Sequence, residues 1–124
     1  AYKAAIKNIS DTVYKKKLEE FMEDHIRHTR DLTQYLESIQ EKAPHSGSMK
    51  SILTKGKVVL ANLFGDKQIL AAMESNEKDT NTAYERVNGF DHIPDTLKKS
   101  LEAGLKDEKK HLEYIQHAIR KLSA

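Results

Sequence analysis

Residues 11–42 read DTVYKKKLEEFMEDHIRHTRDLTQYLESIQEK, a run with neither proline nor glycine. An alternating four–three spacing passes through it: Tyr14, Leu18, Phe21, His25, His28, Leu32, Tyr35 and Ile39. A stripe of this kind is the face that a long helix turns towards its neighbours in a bundle. Its two central members are histidines.

On the N-terminal side, Tyr2, Ile6 and Ile9 form a short helical face over residues 1–9, and Ser10-Asp11 supplies capping side chains for the long helix. On the C-terminal side, Ala43-Pro44-His45-Ser46-Gly47-Ser48 packs loop-forming residues together. A third element begins near Ser48 with Ile52, Val58, Val59 and Leu63. Gly65-Asp66 interrupts it, and Asp66 can cap a continuation through Ile69, Leu70, Met73, Tyr84 and Val87. Asn88-Gly89 reads as the end of that helix. His92-Ile93-Pro94-Asp95 leads into a last helix over roughly 95–122. Helices of ~28–32 residues would be ~42–48 Å long. The expected architecture is an all-α, antiparallel four-helix bundle, one domain over 1–124, with a short first helix and a broken third. The chain opens at Ala1-Tyr2 with no methionine, so the first helix is expected to be truncated.

Composition agrees with long helices: 124 residues, 32% charged, 38% hydrophobic, two prolines and five glycines. There is no cysteine, which excludes disulfides, zinc–thiolate sites and thiol catalysis and fits a reducing cytoplasm. No run of apolar residues is long enough to span a membrane. The net charge of +2 is spread: Lys15-Lys16-Lys17 runs into Glu19-Glu20, so no basic stripe marks a nucleic-acid partner.

The last helix repeats the pattern of the second. Its stripe is Leu97, Leu101, Gly104, Glu108, His111, Ile115, Ala118 and Leu122. The third gives Leu70, Met73, Glu77, Thr80, Tyr84 and Val87. Three helices therefore each place polar residues near the middle of an apolar face. A buried, unpaired carboxylate costs several kcal/mol, so these groups must satisfy one another, bind water or bind a cation.

Carboxylates and imidazoles are also the ligand set of iron, manganese and zinc. Glu108-x-x-His111 projects two donors from one face. The candidate metal ligands are His25, His28, Glu77, Glu108 and His111, with Asp24 able to support His28 at i+4. The alternative is that the histidines are core-edge residues hydrogen-bonded to Glu77 or Glu108, a layer that fixes only the register of the bundle. Tyr2, Tyr14, Tyr35, Tyr84 and Tyr114 read as packing residues with wet hydroxyls. His45, His92 and His117 read as surface. No serine triad, phosphate loop or phosphotransfer histidine is recognisable, so no catalytic residue is assigned.

Several stretches together carry a resemblance. They are Tyr2-x-x-Ala5, the long second helix, Pro44 to Ser48, the Leu63-Phe-Gly-Asp66 break, Ile69-Leu70 with Glu74, Glu77 and Tyr84, and the closing helix with His111. Over nearly the whole chain the sequence resembles the ferritin-like superfamily, and more narrowly an uncharacterised bacterial family of unknown function. The resemblance implies a four-helix bundle with a crossover or broken third helix, and a longer first helix than residues 1–9 provide. Of the superfamily's two Glu-x-x-His motifs, Glu108/His111 matches, Glu77 stands for a single-glutamate helix, and the other half is absent. The resemblance implies no activity. The expected function is a non-enzymatic or stress-related bundle; the alternative is a di-iron or di-manganese type of carboxylate–histidine protein that handles iron or oxidants. A truncated first helix would leave an apolar groove for a second copy, so self-association is expected.

Overall fold

The computed structural model describes residues 1–38, 65–89 and 93–124. Among these there are four helices and no strand: α1 (Tyr2–Asn8), α2 (Thr12–Ser38), α3 (Asp66–Asn88) and α4 (Asp95–Ser123). None is long and apolar enough to cross a membrane. The loop read at Ala43–Ser48, the first half of the broken third element, Ile39, His45, His92 and the side chain of Tyr35 lie outside what is described.

Local chemistry explains the helix boundaries. Extended backbone at Ile9 ends α1. Asp11 then caps α2: its Oδ1 accepts hydrogen bonds from the backbone N–H groups of Val13 (2.8 Å) and Tyr14 (3.0 Å). A cap of this type is worth ~1 kcal/mol. Asp66 was the expected cap of the next helix but has another role. Gly65 holds the N-cap position at φ 85°, a left-handed conformation that suits glycine. The Asp66 carboxylate instead accepts the backbone N–H groups of Ser10 (2.7 Å) and Asp11 (2.9 Å). It thereby braces the α1–α2 elbow against the start of α3. Gly89 closes α3 in the right-handed region, not the left-handed one typical of a glycine cap.

The interior has three levels. One apolar cluster gathers Tyr2, Ala5, Ile9, Leu18, Phe21, Ile69, Leu70, Met73, Ile115 and Ala118. A second gathers Leu32, Tyr84, Val87, Leu97 and Leu101. Between them along each of α2, α3 and α4 lie the polar stripe members. Most of the described stripe members are buried as their spacing predicts; Ile6, Tyr14 and His25 are half-buried, and Leu122 at the end of α4 is 41% exposed. Gly104 is needed for close packing: a Cβ there would lie 2.5 Å from Cε1 of the Tyr84 ring.

Candidate metal centre

α2 contributes His25, α3 contributes Glu77, and α4 contributes Glu108 and His111. One donor atom from each can be chosen so that all four lie within 4.8 Å of one another. His25 Nε2 is 3.0 Å from Glu77 Oε1 and 3.1 Å from Glu108 Oε2. His111 Nδ1 is 3.3 Å from Glu108 Oε2 and 3.7 Å from Glu77 Oε1. Donors around one tetrahedral ion, with bonds of ~2.0–2.2 Å, sit ~3.3–3.6 Å apart. These four separations, 3.0–3.7 Å, lie around that value, and the remaining pairs, within 4.8 Å, would close on an ion.

Burial is nearly complete. Glu77 and Glu108 are 0% exposed and His111 1%, while the His25 side chain, at 26%, is the member that meets solvent. Phe21 stacks on His111 with ring centroids 4.2 Å apart and closes one side. Glu77 Oε2, both oxygens of Glu108 and His111 Nδ1 are buried without a hydrogen bond. Glu108 is thus within ion-pair distance of both imidazoles, but neither N–H is aligned on it. Four orphaned donors or acceptors in one place are what a cation would satisfy.

The other nitrogen of His111 is occupied. Nε2–H donates to Asp24 Oδ2 at 2.8 Å, which leaves Nδ1 facing the centre. A carboxylate behind a histidine in this way fixes the ring and raises its basicity as a ligand.

The electrostatics follow from packing two acids and two imidazoles together. Burial opposes charge on His25 and His111, but Glu108 and Glu77 outweigh it and push them up to about 9 and about 10. Burial would also raise Glu77, yet His111 and His25 hold its carboxyl well below the usual range. Glu108 goes the other way: burial and the neighbouring Glu77 raise it, against the pull of the two imidazoles. The two acids share the charge unevenly, as close carboxylates do.

The structure does not bring His28 to this centre. Its Nε2 donates to Asp107 Oδ2 (2.9 Å), which also accepts from Arg27 Nη2 (2.8 Å). Asp24, expected beside His28, serves His111 instead. The two helices exchange partners: Asp24 of α2 holds the histidine of α4, and Asp107 of α4 holds the histidine of α2. Residues 24–28 and 107–111 both have the form Asp-[His/Glu]-x-x-His, a signal that was present in the sequence.

Two further residues carry weight that spacing did not reveal. The Tyr2 hydroxyl is not wet; it is buried and donates to Glu77 Oε1. Burial, and then the Glu77 charge, raise that phenol well above its ordinary value. Asn81 Nδ2 donates to the backbone carbonyls of both Glu77 (2.8 Å) and Glu108 (3.1 Å), tying together the two turns that bear the acids. His117 is exposed, as expected.

The model of one family, described as Domain of unknown function (DUF2383), matches residues 1–89. No curated protein and no solved structure matches the chain.

Proposed function

We propose that this chain, which belongs to the family described as Domain of unknown function (DUF2383), is a ferritin-like bundle that holds one transition-metal ion through His25, Glu77, Glu108 and His111. The observation that carries this reading is the convergence of four nitrogen and oxygen donors from three helices on a buried point where the Glu108 carboxylate and His111 Nδ1 lack hydrogen bonds. The donor set suits iron, manganese or zinc, and bound iron or manganese would supply redox chemistry suited to iron or oxidant handling. One ion fits better than two, because Asp107, itself held by Arg27, already engages His28, the fifth sequence candidate.

The chain's own residues make the exchange electrically neutral. Without metal, protonated His25 and His111 provide the positive charge that Glu77 and Glu108 require. Loss of those two protons on binding offsets the two charges of a divalent ion, so the buried charge is conserved. Asp24 keeps His111 Nδ1 turned inward, and His25 forms the solvent-facing gate.

The ferritin-like reading is supported by the order in which each helix meets the two apolar clusters. α2 and α3 pass from the cluster with Phe21 to the cluster with Leu32, and α4 passes in reverse. That order suits an antiparallel α3–α4 pair and a crossover between α2 and α3.

Metal analysis of untagged protein after exposure to iron, manganese and zinc tests the reading. The expected result is one ion per chain, lost in a Glu77→Gln/Glu108→Gln variant. A parent protein that stays metal-free overturns it. The second reading, a non-enzymatic module whose polar layer fixes register, is favoured by the ion pairs that the centre already makes internally. It expects His25→Leu to change no metal content and to cost no stability.

A further inference from the structure

We infer that Tyr2 is a fifth, anionic ligand of this centre and makes it a site for a trivalent ion, ferric iron. The inference rests on the four-residue reading above and adds to it the one helix that supplies none of those four residues. α1 closes the fourth side of the centre, and the side chain it sends there is Tyr2, whose hydroxyl donates to Glu77 Oε1. That oxygen is the inner one, since it also faces His25 Nε2 and His111 Nδ1. The phenol oxygen is therefore one hydrogen bond from a ligand atom, and its ring lies 4.9 Å from that of His25.

Tyr2 is held in place. Ala5, one turn on, is fully buried, Ile9 is 4% exposed, and the Asp66 carboxylate grips the elbow that follows.

Charge selects the ion. Glu77, Glu108 and a Tyr2 phenolate sum to three negative charges, and His25 and His111 ligate as neutral imidazoles. A trivalent cation balances that shell, whereas a divalent one balances the shell in which Tyr2 stays a neutral phenol, so phenolate ligation and ferric iron go together. Four ligands also leave iron short of the five or six it accepts, and a hard phenolate oxygen is a fitting addition. In the step itself the Tyr2 O–H bond breaks and an oxygen–iron bond forms. The displaced proton is released to solvent, to which the His25 side chain, 26% exposed, opens the centre. No electron is transferred.

Metal-free protein is loaded with ferric citrate, and separately with zinc, and read by metal analysis, visible absorption and resonance Raman. The expected ferric protein is coloured by phenolate-to-iron charge transfer and shows phenolate ring modes. Tyr2→Phe, which keeps the ring against His25, loses the band and the modes while still binding zinc. Bound iron without the band in the parent, or a band that survives in Tyr2→Phe, overturns the assignment and leaves the four-residue centre standing. A parent that takes up neither iron nor zinc removes that centre and the fifth ligand together. The parent spectrum decides whether a tyrosine ligates even if the variant folds poorly.

Discussion

Replacing Gly104 by alanine tests whether the α3–α4 contact sets the spacing of the two acids. A Cβ at Gly104 would sit 2.5 Å from Tyr84 Cε1, 2.9 Å from Cζ and 3.0 Å from the hydroxyl oxygen. Carbon atoms pack at ~3.5–4.0 Å, so the ring or the helix must give way by ~1 Å. Tyr84 is only 3% exposed, and His28 stands against its ring. Overpacking of this kind costs ~1–3 kcal/mol. Alanine returns ~0.5–1 kcal/mol over glycine inside a helix. With three contacts inside the normal distance, the net expectation is a loss of about 1–2 kcal/mol. Urea unfolding of the metal-free protein in the presence of a chelator measures it as a lower midpoint at unchanged slope. Tyr84→Leu removes the ring, so the double variant should recover part of the loss, with a coupling of ~0.5–3 kcal/mol. Glu108 lies one turn beyond Gly104, so lifting α4 should also weaken metal binding. A Gly104→Ala protein as stable as the parent, or strict additivity with Tyr84→Leu, refutes the reasoning.

Other consequences are as direct. In metal-free protein the ion pairs of His25 and His111 with Glu77 and Glu108 stabilise fully below the ordinary histidine value of 6.5. That stability should fade as pH climbs through about 9 and about 10, a loss readable in urea midpoints across pH. Metal binding competes with the same protons, so affinity should rise over that range, and calorimetry in two buffers should record proton release. Asp24→Ala leaves the buried Nε2–H of His111 without its acceptor; metal affinity should fall ~10–100-fold in competition with a chromophoric chelator. His28→Gln should leave metal content unchanged, because His28 lies with Asp107 and not with the four donors; loss of metal there would overturn the assignment of the shell. Asn81→Ala removes two bonds to buried carbonyls and should cost ~1–3 kcal/mol in thermal or urea unfolding.

The heptad stripes were legible because burial follows spacing within a helix. Leu18, Phe21, Leu32, Met73, Leu101 and Ile115 are all buried where a four–three count puts them. The inward placement of Glu77, Glu108 and His111 follows from the same count. Partner choice is different, because the axial stagger between helices decides it. Asp24 and His28 are four apart on one helix and close enough to pair locally. Asp24 nevertheless flanks its stripe and reaches across to α4, while the inward His28 finds Asp107. The repeated Asp-[His/Glu]-x-x-His form could have suggested the exchange, but not its direction. Tyr2 was readable as a buried face and not as a neighbour of Glu77. Its height along the bundle is set by a carboxylate 55 and 56 positions beyond the elbow it holds.

That carboxylate also bears on the order of assembly. The α3–α4 contacts through Asn81 close a segment of 27 positions, whereas Tyr2 meets Glu77 across 75. By chain entropy alone the longer closure costs roughly 1 kcal/mol more. The α3–α4 pair carrying Glu77, Glu108 and His111 is therefore the natural early unit, and α1 docks late. Being only two turns long, α1 is the element expected to detach without global unfolding. Amide hydrogens of residues 5–9 should then exchange ahead of those in α3 and α4. With Asp66 as its latch, this first helix would act as the door of the centre, and the lifetime of anything held inside would be set by how often that door opens.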